Sequence, residues 1–119
     1  MWIFTNSGFI SIVADRDAAS NLLVRGRREG DIETIFPRAK VTITPNADYL
    51  YRASVTRQTA ANAVAMSVLD IQYNNFKNSV LDPDRHEYYL DVWTVMRRMQ
   101  EKQYQDSSYP QSWYDPSIT

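Results

Sequence analysis

The segment 48–77 changes from the two-residue period of a strand to the period of a helix, and this change constrains the fold more than any other feature. Alternation at its start places Tyr49 and Tyr51 on one face and Arg52 on the other. Over residues 60–71, apolar side chains instead recur every three or four positions. The segment therefore predicts a strand that leads directly into an amphipathic helix.

The other periodic segments complete a small α+β protein. We expect one bent or interrupted strand near the amino terminus and three further strands, over residues 2–13, 22–28, 39–44 and 49–55. A short helix follows the second strand, and two longer helices follow the fourth. The order is ββαββαα, which predicts a two-layer fold with a four-stranded antiparallel sheet and helices packed on one face.

Three positions have the residue types that begin helices. Asp31 is the expected N-cap of the short helix, and Thr56 or Thr59 that of the main helix. Asp82 precedes a proline at the first helical position of the last helix, which we expect to end near Gln103. The side chains expected in the core are Val24, Tyr51, Val55, Val64, Val68, Val92, Trp93 and Met96.

The composition is that of a globular protein. Hydrophobic residues make up 44% and charged residues 23% of the 119 positions, which excludes intrinsic disorder for the body of the chain. The length suits one domain. We expect a single α+β domain over residues 1–103 and a flexible, aperiodic C-terminal tail over residues 104–119.

Charge, cysteine content and hydropathy exclude several classes of function. A net charge of −1 is too small for a general nucleic-acid binder. The chain has no cysteine, which excludes disulfides and thiolate metal sites and favours a reducing compartment. No segment reaches the roughly 20 apolar residues of a membrane span. We expect a cytoplasmic protein without membrane association.

The sequence offers little material for catalysis. It contains one histidine and three glycines, and the glycines do not form a phosphate-binding loop. Asp82, Asp84, His86 and Glu87 are potential metal ligands. They lie too close together along one helix to converge on an ion. We therefore predict no metal or cofactor, and we favour a binding protein over an enzyme.

Arginines on neighbouring strands suggest a site for an anion. Guanidinium groups recognise phosphate and carboxylate through paired donors, and nearby aromatic rings can stack on a base. The predicted ligand is an anionic small molecule, with a nucleotide or nucleotide-derived signal as the favoured class. The predicted binding residues are Arg25, Arg27, Arg52, Tyr49, Tyr51, Tyr73, Phe76 and Lys77. The alternatives are surface salt bridges for the arginines and helix capping for the segment 73–77.

Aromatic residues near the carboxyl end support a rival function. The final helix, with Trp113 and Tyr114 in the tail, could anchor a protein partner, as in an inhibitor or adaptor. Exposed sheet edges and surplus aromatic residues also predict a homodimer, whose interface the sequence does not locate.

Five sequence blocks occur together in one set of proteins. They are Trp2-Ile3-Phe4-Thr5 with Gly8-Phe9, Val24-Arg25-Gly26-Arg27, Asp48-Tyr49-Leu50-Tyr51-Arg52, Tyr73-Asn74-Asn75-Phe76-Lys77 and Val92-Trp93-Thr94-Val95-Met96. Through these blocks, the chain resembles a family of short uncharacterised bacterial and phage proteins over nearly all of residues 2–100. The resemblance implies one compact domain and transfers no catalytic residue. By analogy with the phage members, it implies sequestration of a host signal.

Overall fold

The computed structural model describes residues 1–106, 108–115 and 117. Its internal contacts divide the chain into two compact units, Met1–Ser79 and Val80–Thr119. The first unit is α+β, with an open antiparallel sheet, as the sequence predicts. The second is built around one long helix.

The sheet of the first unit has five strands. They are β1 (Trp2–Phe4), β2 (Phe9–Ala14), β3 (Asn21–Gly26), β4 (Thr42–Ile43) and β5 (Tyr51–Thr56). The spatial order is β1-β2-β3-β5-β4, and every neighbouring pair is antiparallel.

The four-stranded prediction is wrong because the amino-terminal segment forms a hairpin. The Thr5 N–H donates to the Gly8 carbonyl at 2.8 Å, and the Gly8 N–H donates to Thr5 Oγ1 at 3.0 Å. These bonds close a tight turn over Asn6 and Ser7, residue types that turns favour. The chain thus reverses direction between β1 and β2, where the sequence suggested a bend within one strand.

The described residues also form four α-helices. They are α1 (Asp31–Ile35), α2 (Arg57–Leu69), α3 (Phe76–Ser79) and α4 (Pro83–Gln103). The order of these strands and α-helices is βββαββααα. It differs from the predicted order because β1 and β2 are separate strands and because α3 forms where the sequence predicts only a connection. In α3, Asn75 Oδ1 accepts the Asn78 N–H at 3.1 Å, which stabilises a single turn too short to show a period.

Two of the three predicted helix starts are confirmed. Thr56 caps α2 by accepting the Thr59 N–H at 3.1 Å, and Asp82 caps α4 by accepting the Asp84 N–H at 3.0 Å. The prediction that Asp31 caps α1 is wrong. Gly30, with φ of 93°, holds the N-cap position.

Asp31 instead connects α1 to the sheet. It is the first residue of the helix and only 4% exposed, and its Oδ2 accepts the backbone N–H of Phe9 at 3.0 Å. Its carboxylate therefore fixes the start of α1 against the start of β2.

The core of the first unit lies between the sheet and the helices α1 and α2. Ile12 on β2 is opposite Val24 on β3, which is opposite Ala53 on β5, so these residues form one apolar row. Ile32 of α1 and Ala60 of α2 are buried in the same cluster. The other face of the sheet is therefore free to carry polar side chains in the alternate positions.

The predicted core is correct in part. Val24 and Val55 are buried, and Tyr51 and Val64 pack against the cluster. Val68 is 60% exposed because the inward side of α2 follows Ala60, Ala63, Val64 and Ser67. Val68 lies outside that side, since each residue advances a helix by about 100°.

In the second unit, Trp93 is half-buried, whereas Val92 and Met96 are exposed, so their assignment to the core is wrong. The tail residue Tyr104 donates its hydroxyl to the Trp113 carbonyl at 3.4 Å, and its ring lies 5.1 Å from that of Tyr114. These contacts hold the described part of the tail next to the end of α4. Its predicted flexibility stays a prediction, and residues 107, 116 and 118–119 lie outside the described part of the chain.

Within the described residues, no helix combines the length and the hydropathy that crossing a membrane requires.

Candidate anion-binding site

One row of side chains crosses the open face of the sheet. Ser11 on β2 pairs with Arg25 on β3, Arg25 pairs with Arg52 on β5, and Arg52 pairs with Thr42 on β4. Directly paired residues of antiparallel strands point to the same face with Cβ atoms about 5 Å apart. The register therefore brings two arginines side by side, an arrangement that is unfavourable until their charges are compensated.

The ring of a buried tyrosine contacts Arg25 of this pair and a third arginine, Arg27. Tyr49, just before β5, is 4% exposed, and the guanidinium carbons of Arg25 and Arg27 lie 4.4 and 4.1 Å from its ring centroid. Such contacts are attractive because the face of an aromatic ring is electronegative. The ring that could have stacked on a ligand is thus occupied by two arginines.

Hydrogen bonds around Asp48 orient two of the arginines. Arg52 donates from Nε to the Tyr49 carbonyl at 3.2 Å and from Nη2 to Asp48 Oδ1 at 3.0 Å. Arg27 donates from Nη1 to the Asp48 carbonyl at 2.8 Å. The salt-bridge alternative considered for the arginines is therefore realised for Arg52 with Asp48.

Arg25 lacks a comparable acidic partner. Its Nη2 donates to Ser11 Oγ at 2.9 Å, while its Nε is buried and has no acceptor in the described part of the chain. A buried N–H without an acceptor costs about 1–3 kcal/mol. No carboxylate among the described residues forms an ion pair with Arg25. Its charge is therefore compensated less well than that of Arg52.

The arginine pair opens into a groove of about 960 Å³, which we call the basic groove. Val13 and Leu23 contribute apolar surface to it. Its charged lining consists of four cations and two acids, Arg16, Arg25, Lys40, Arg52, Asp15 and Asp17. The lining therefore has a formal charge of +2, although the whole chain has a net charge of −1.

One acid in the basic groove is held in its charged form. Ser54 Oγ donates to Asp15 Oδ2 at 2.5 Å, and the Asp17 N–H donates to Asp15 Oδ1 at 3.0 Å. These bonds, Ser54 first, lower the pKa of Asp15 below its ordinary value because they stabilise the carboxylate. At neutral pH the ionised Asp15 offsets part of the positive charge of the groove and repels an anion that binds next to it.

Of the eight predicted binding residues, Arg25 and Arg52 line the basic groove. Tyr49 contacts both of them and Arg27 contacts Tyr49, but neither Tyr49 nor Arg27 lines the groove.

The other four residues lie apart from this group. Tyr51 pairs with Gly26 and packs against the core on the helix-covered face. Tyr73 lines a different cavity, of about 610 Å³, and its ring lies 5.6 Å from that of Phe76. Lys77 is in α3 with Phe76. The structure brings together Arg25, Arg27, Tyr49 and Arg52, and these four residues form the candidate site.

Sequence reasoning missed two cations of the groove. Arg16 lies in the turn between β2 and β3, and Lys40 lies just before the two-residue strand β4. Neither position shows a signal in the sequence, because its proximity to Arg25 depends on how the loops fold over the sheet. The alternation of β2 could have indicated Ser11, which shares a face with Val13.

Among the described residues, no three histidine, cysteine or acidic side chains come close enough together to hold a metal ion. Comparisons of the chain with models of protein families, with curated proteins and with solved structures find no match.

Proposed function

We propose that the protein is a non-enzymatic binding module that captures a small anionic molecule in the basic groove. The observation that carries this proposal is the placement of Arg25 beside Arg52 on the open face of the sheet, where, within the described part of the chain, Arg52 is paired to a carboxylate and Arg25 is not. A bound anion would compensate the second charge.

The other two cations of the groove strengthen the argument. Within the described residues, neither Arg16 nor Lys40 forms an ion pair, although both line the groove with Arg25. The four cations of the lining outnumber its two acids, and a ligand with two or more negative charges compensates the excess positive charge. Charge-assisted hydrogen bonds from guanidinium to phosphate are among the strongest available to a protein.

The favoured ligand class is a nucleotide or a nucleotide-derived signal. Its phosphates suit the cations of the groove, and the hydroxyl of Thr42 provides a neutral hydrogen-bonding group along the same lining. The described lining contains two carboxylates and no histidine, which favours retention of the ligand over its chemical conversion. By analogy with the bacterial and phage proteins that the chain resembles, the physiological role of ligand binding would be the sequestration of a host signal.

Calorimetric titration with ATP, inorganic pyrophosphate and uncharged adenosine tests the proposal. We expect the two phosphate compounds to bind and adenosine not to bind. Arg52→Ala should weaken binding more than about tenfold, since a hydrogen bond to a charged group contributes about 1.5–3 kcal/mol. Asp15→Asn should strengthen binding, because it removes a negative charge from the groove.

Arg57→Ala is the matched control, since it removes an exposed arginine at the start of α2 that does not line the groove. Equal weakening by Arg57→Ala and Arg52→Ala would show that binding depends only on overall charge. Failure of both phosphate compounds to bind at millimolar concentration would contradict this ligand class.

A second candidate is a protein-binding inhibitor or adaptor. It is favoured by one observation, the 67% exposure of Trp113 in the tail. Trp113 lines a cavity of about 300 Å³ with Trp93 and Tyr114, which provides a rim of aromatic surface in the second unit. Removal of the chain after Gln103 separates the two functions. Anion binding in the groove should survive this truncation, whereas a tail-anchored interaction should be lost.

A further inference from the structure

One side of α4 exposes large apolar side chains at a regular spacing. Tyr88, Val92, Val95 and Met99 are 70%, 39%, 51% and 64% exposed. Their separations of four, three and four residues follow the 3.5-residue repeat of helices that pair along their length. We call these four residues the α4 seam.

The described part of the tail packs around a different side of α4. Tyr104, Trp113 and Tyr114 line a cavity together with Trp93 and Arg97. At about 100° per residue, the latter two point well away from the direction shared by the four seam residues. The tail contacts therefore leave the α4 seam uncovered within the second unit.

We propose that the α4 seam binds the α4 seam of a second copy of this chain, with the two helices antiparallel. Placing Val92 opposite Val95 of the second copy also places Met99 opposite Tyr88. The two-fold axis of such a dimer generates each of these contacts twice. The α4 seam is therefore complementary to a second copy of itself. Eight exposed apolar side chains then leave water together.

Charges beside the seam select the antiparallel orientation. Asp91 and Arg98 are both exposed and lie seven residues apart on the same flank of the seam. Antiparallel helices bring this flank against the same flank of the second copy, which pairs each Asp91 with an Arg98. Parallel helices would bring it against the opposite flank, where Tyr89 and Met96 lie, and would leave both charges unpaired.

Sedimentation equilibrium of the full chain tests the interface. We expect the mass of a dimer at micromolar concentration. Val95→Glu places a carboxylate inside the seam and should give a monomer. Thr94→Glu adds the same charge at a neighbouring exposed position outside the seam and should leave the dimer intact. Circular dichroism of each variant shows whether the helices remain folded.

A charge exchange tests the orientation. Asp91→Arg and Arg98→Asp each place like charges opposite one another and should weaken self-association about tenfold. Mixing the two single variants should restore dimers that contain one chain of each, because every facing pair then has opposite charges. A monomeric wild-type protein, a dimer insensitive to Val95→Glu, or no preference for the mixed dimer would overturn the proposal.

Discussion

At the scale of single residues, Tyr49 organises the candidate site. Two guanidinium groups lie within 4.4 Å of the centre of its buried ring, and its carbonyl accepts a hydrogen bond from Arg52. The backbone contact survives any substitution that keeps the main chain in place, whereas the ring contacts do not. The side chain of Tyr49 therefore acts as a support for Arg25 and Arg27.

The first prediction follows from this role. Tyr49→Leu removes the aromatic ring but keeps an apolar side chain, and it should lower the free energy of unfolding by about 2 kcal/mol through loss of two cation–π contacts. Tyr49→Phe keeps the ring and should cost clearly less. Urea unfolding measures both values, and equal losses in the two variants would show that the arginine contacts do not contribute.

The second prediction concerns Asp15 and its dependence on pH. Because Ser54 lowers the pKa of Asp15 in the folded protein below its ordinary value of 3.8, the hydrogen bond stabilises the fold above that pH. This contribution is lost as the pH falls through the lowered pKa. The difference in unfolding free energy between wild type and Ser54→Ala should therefore shrink between neutral pH and about pH 2.

Ser67→Ala provides the control for this measurement. The Ser67 hydroxyl donates to the Ala63 carbonyl at 3.0 Å, a neutral acceptor, so its contribution should not follow the titration of a carboxylate. A difference for Ser54→Ala that stays constant with pH would contradict the assigned role of Asp15.

At the scale of elements, local chemistry predicted the longer segments well. The strand at Tyr51–Thr56 follows from alternation, and the cap at Thr56 follows from a hydroxyl at the start of α2. The start of α4 follows from Asp82 and Pro83. The prediction of one bent strand is wrong at Asn6 and Ser7, because two turn-forming residues between apolar segments fit both a bend and a hairpin. Only the pairing of β1 with β2 distinguishes them.

The candidate site was predictable only in part for a related reason. Alternation placed Arg25 and Arg52 on neighbouring strands, and the register then set them side by side. Alternation groups Tyr51 with Tyr49, but Tyr49 lies before the strand begins and does not follow the strand's alternation. The prediction for Tyr73 and Phe76 rests on residue type alone, which carries no information about distance in the fold.

The third prediction tests the element boundary at the start of α1. Gly30 has φ of 93°, and a Cβ atom added there would meet no other atom within 4 Å. Gly30→Ala should therefore lower the free energy of unfolding by about 1–2 kcal/mol, purely from the backbone conformation. Gly30→Asn should cost less, because asparagine tolerates positive φ. Equal costs in thermal unfolding would contradict this account of the turn.

At the scale of the whole molecule, the two proposals use different parts of the chain. The basic groove lies in the unit Met1–Ser79, and the α4 seam lies in the unit Val80–Thr119. Ligand capture and self-association can therefore be disrupted separately. Val95→Glu should remove the dimer without changing the lining of the groove, and Arg52→Ala should do the reverse.

The central claim is that the basic groove retains an anionic small molecule, and native mass spectrometry of protein purified from its host tests it most directly. We predict that the wild type and Arg57→Ala carry a small anion that denaturation releases, and that Arg25→Gln and Arg52→Gln carry little or none. The same protein without a bound small molecule, together with a co-purifying protein lost on Trp113→Ala, would contradict the claim and support the adaptor.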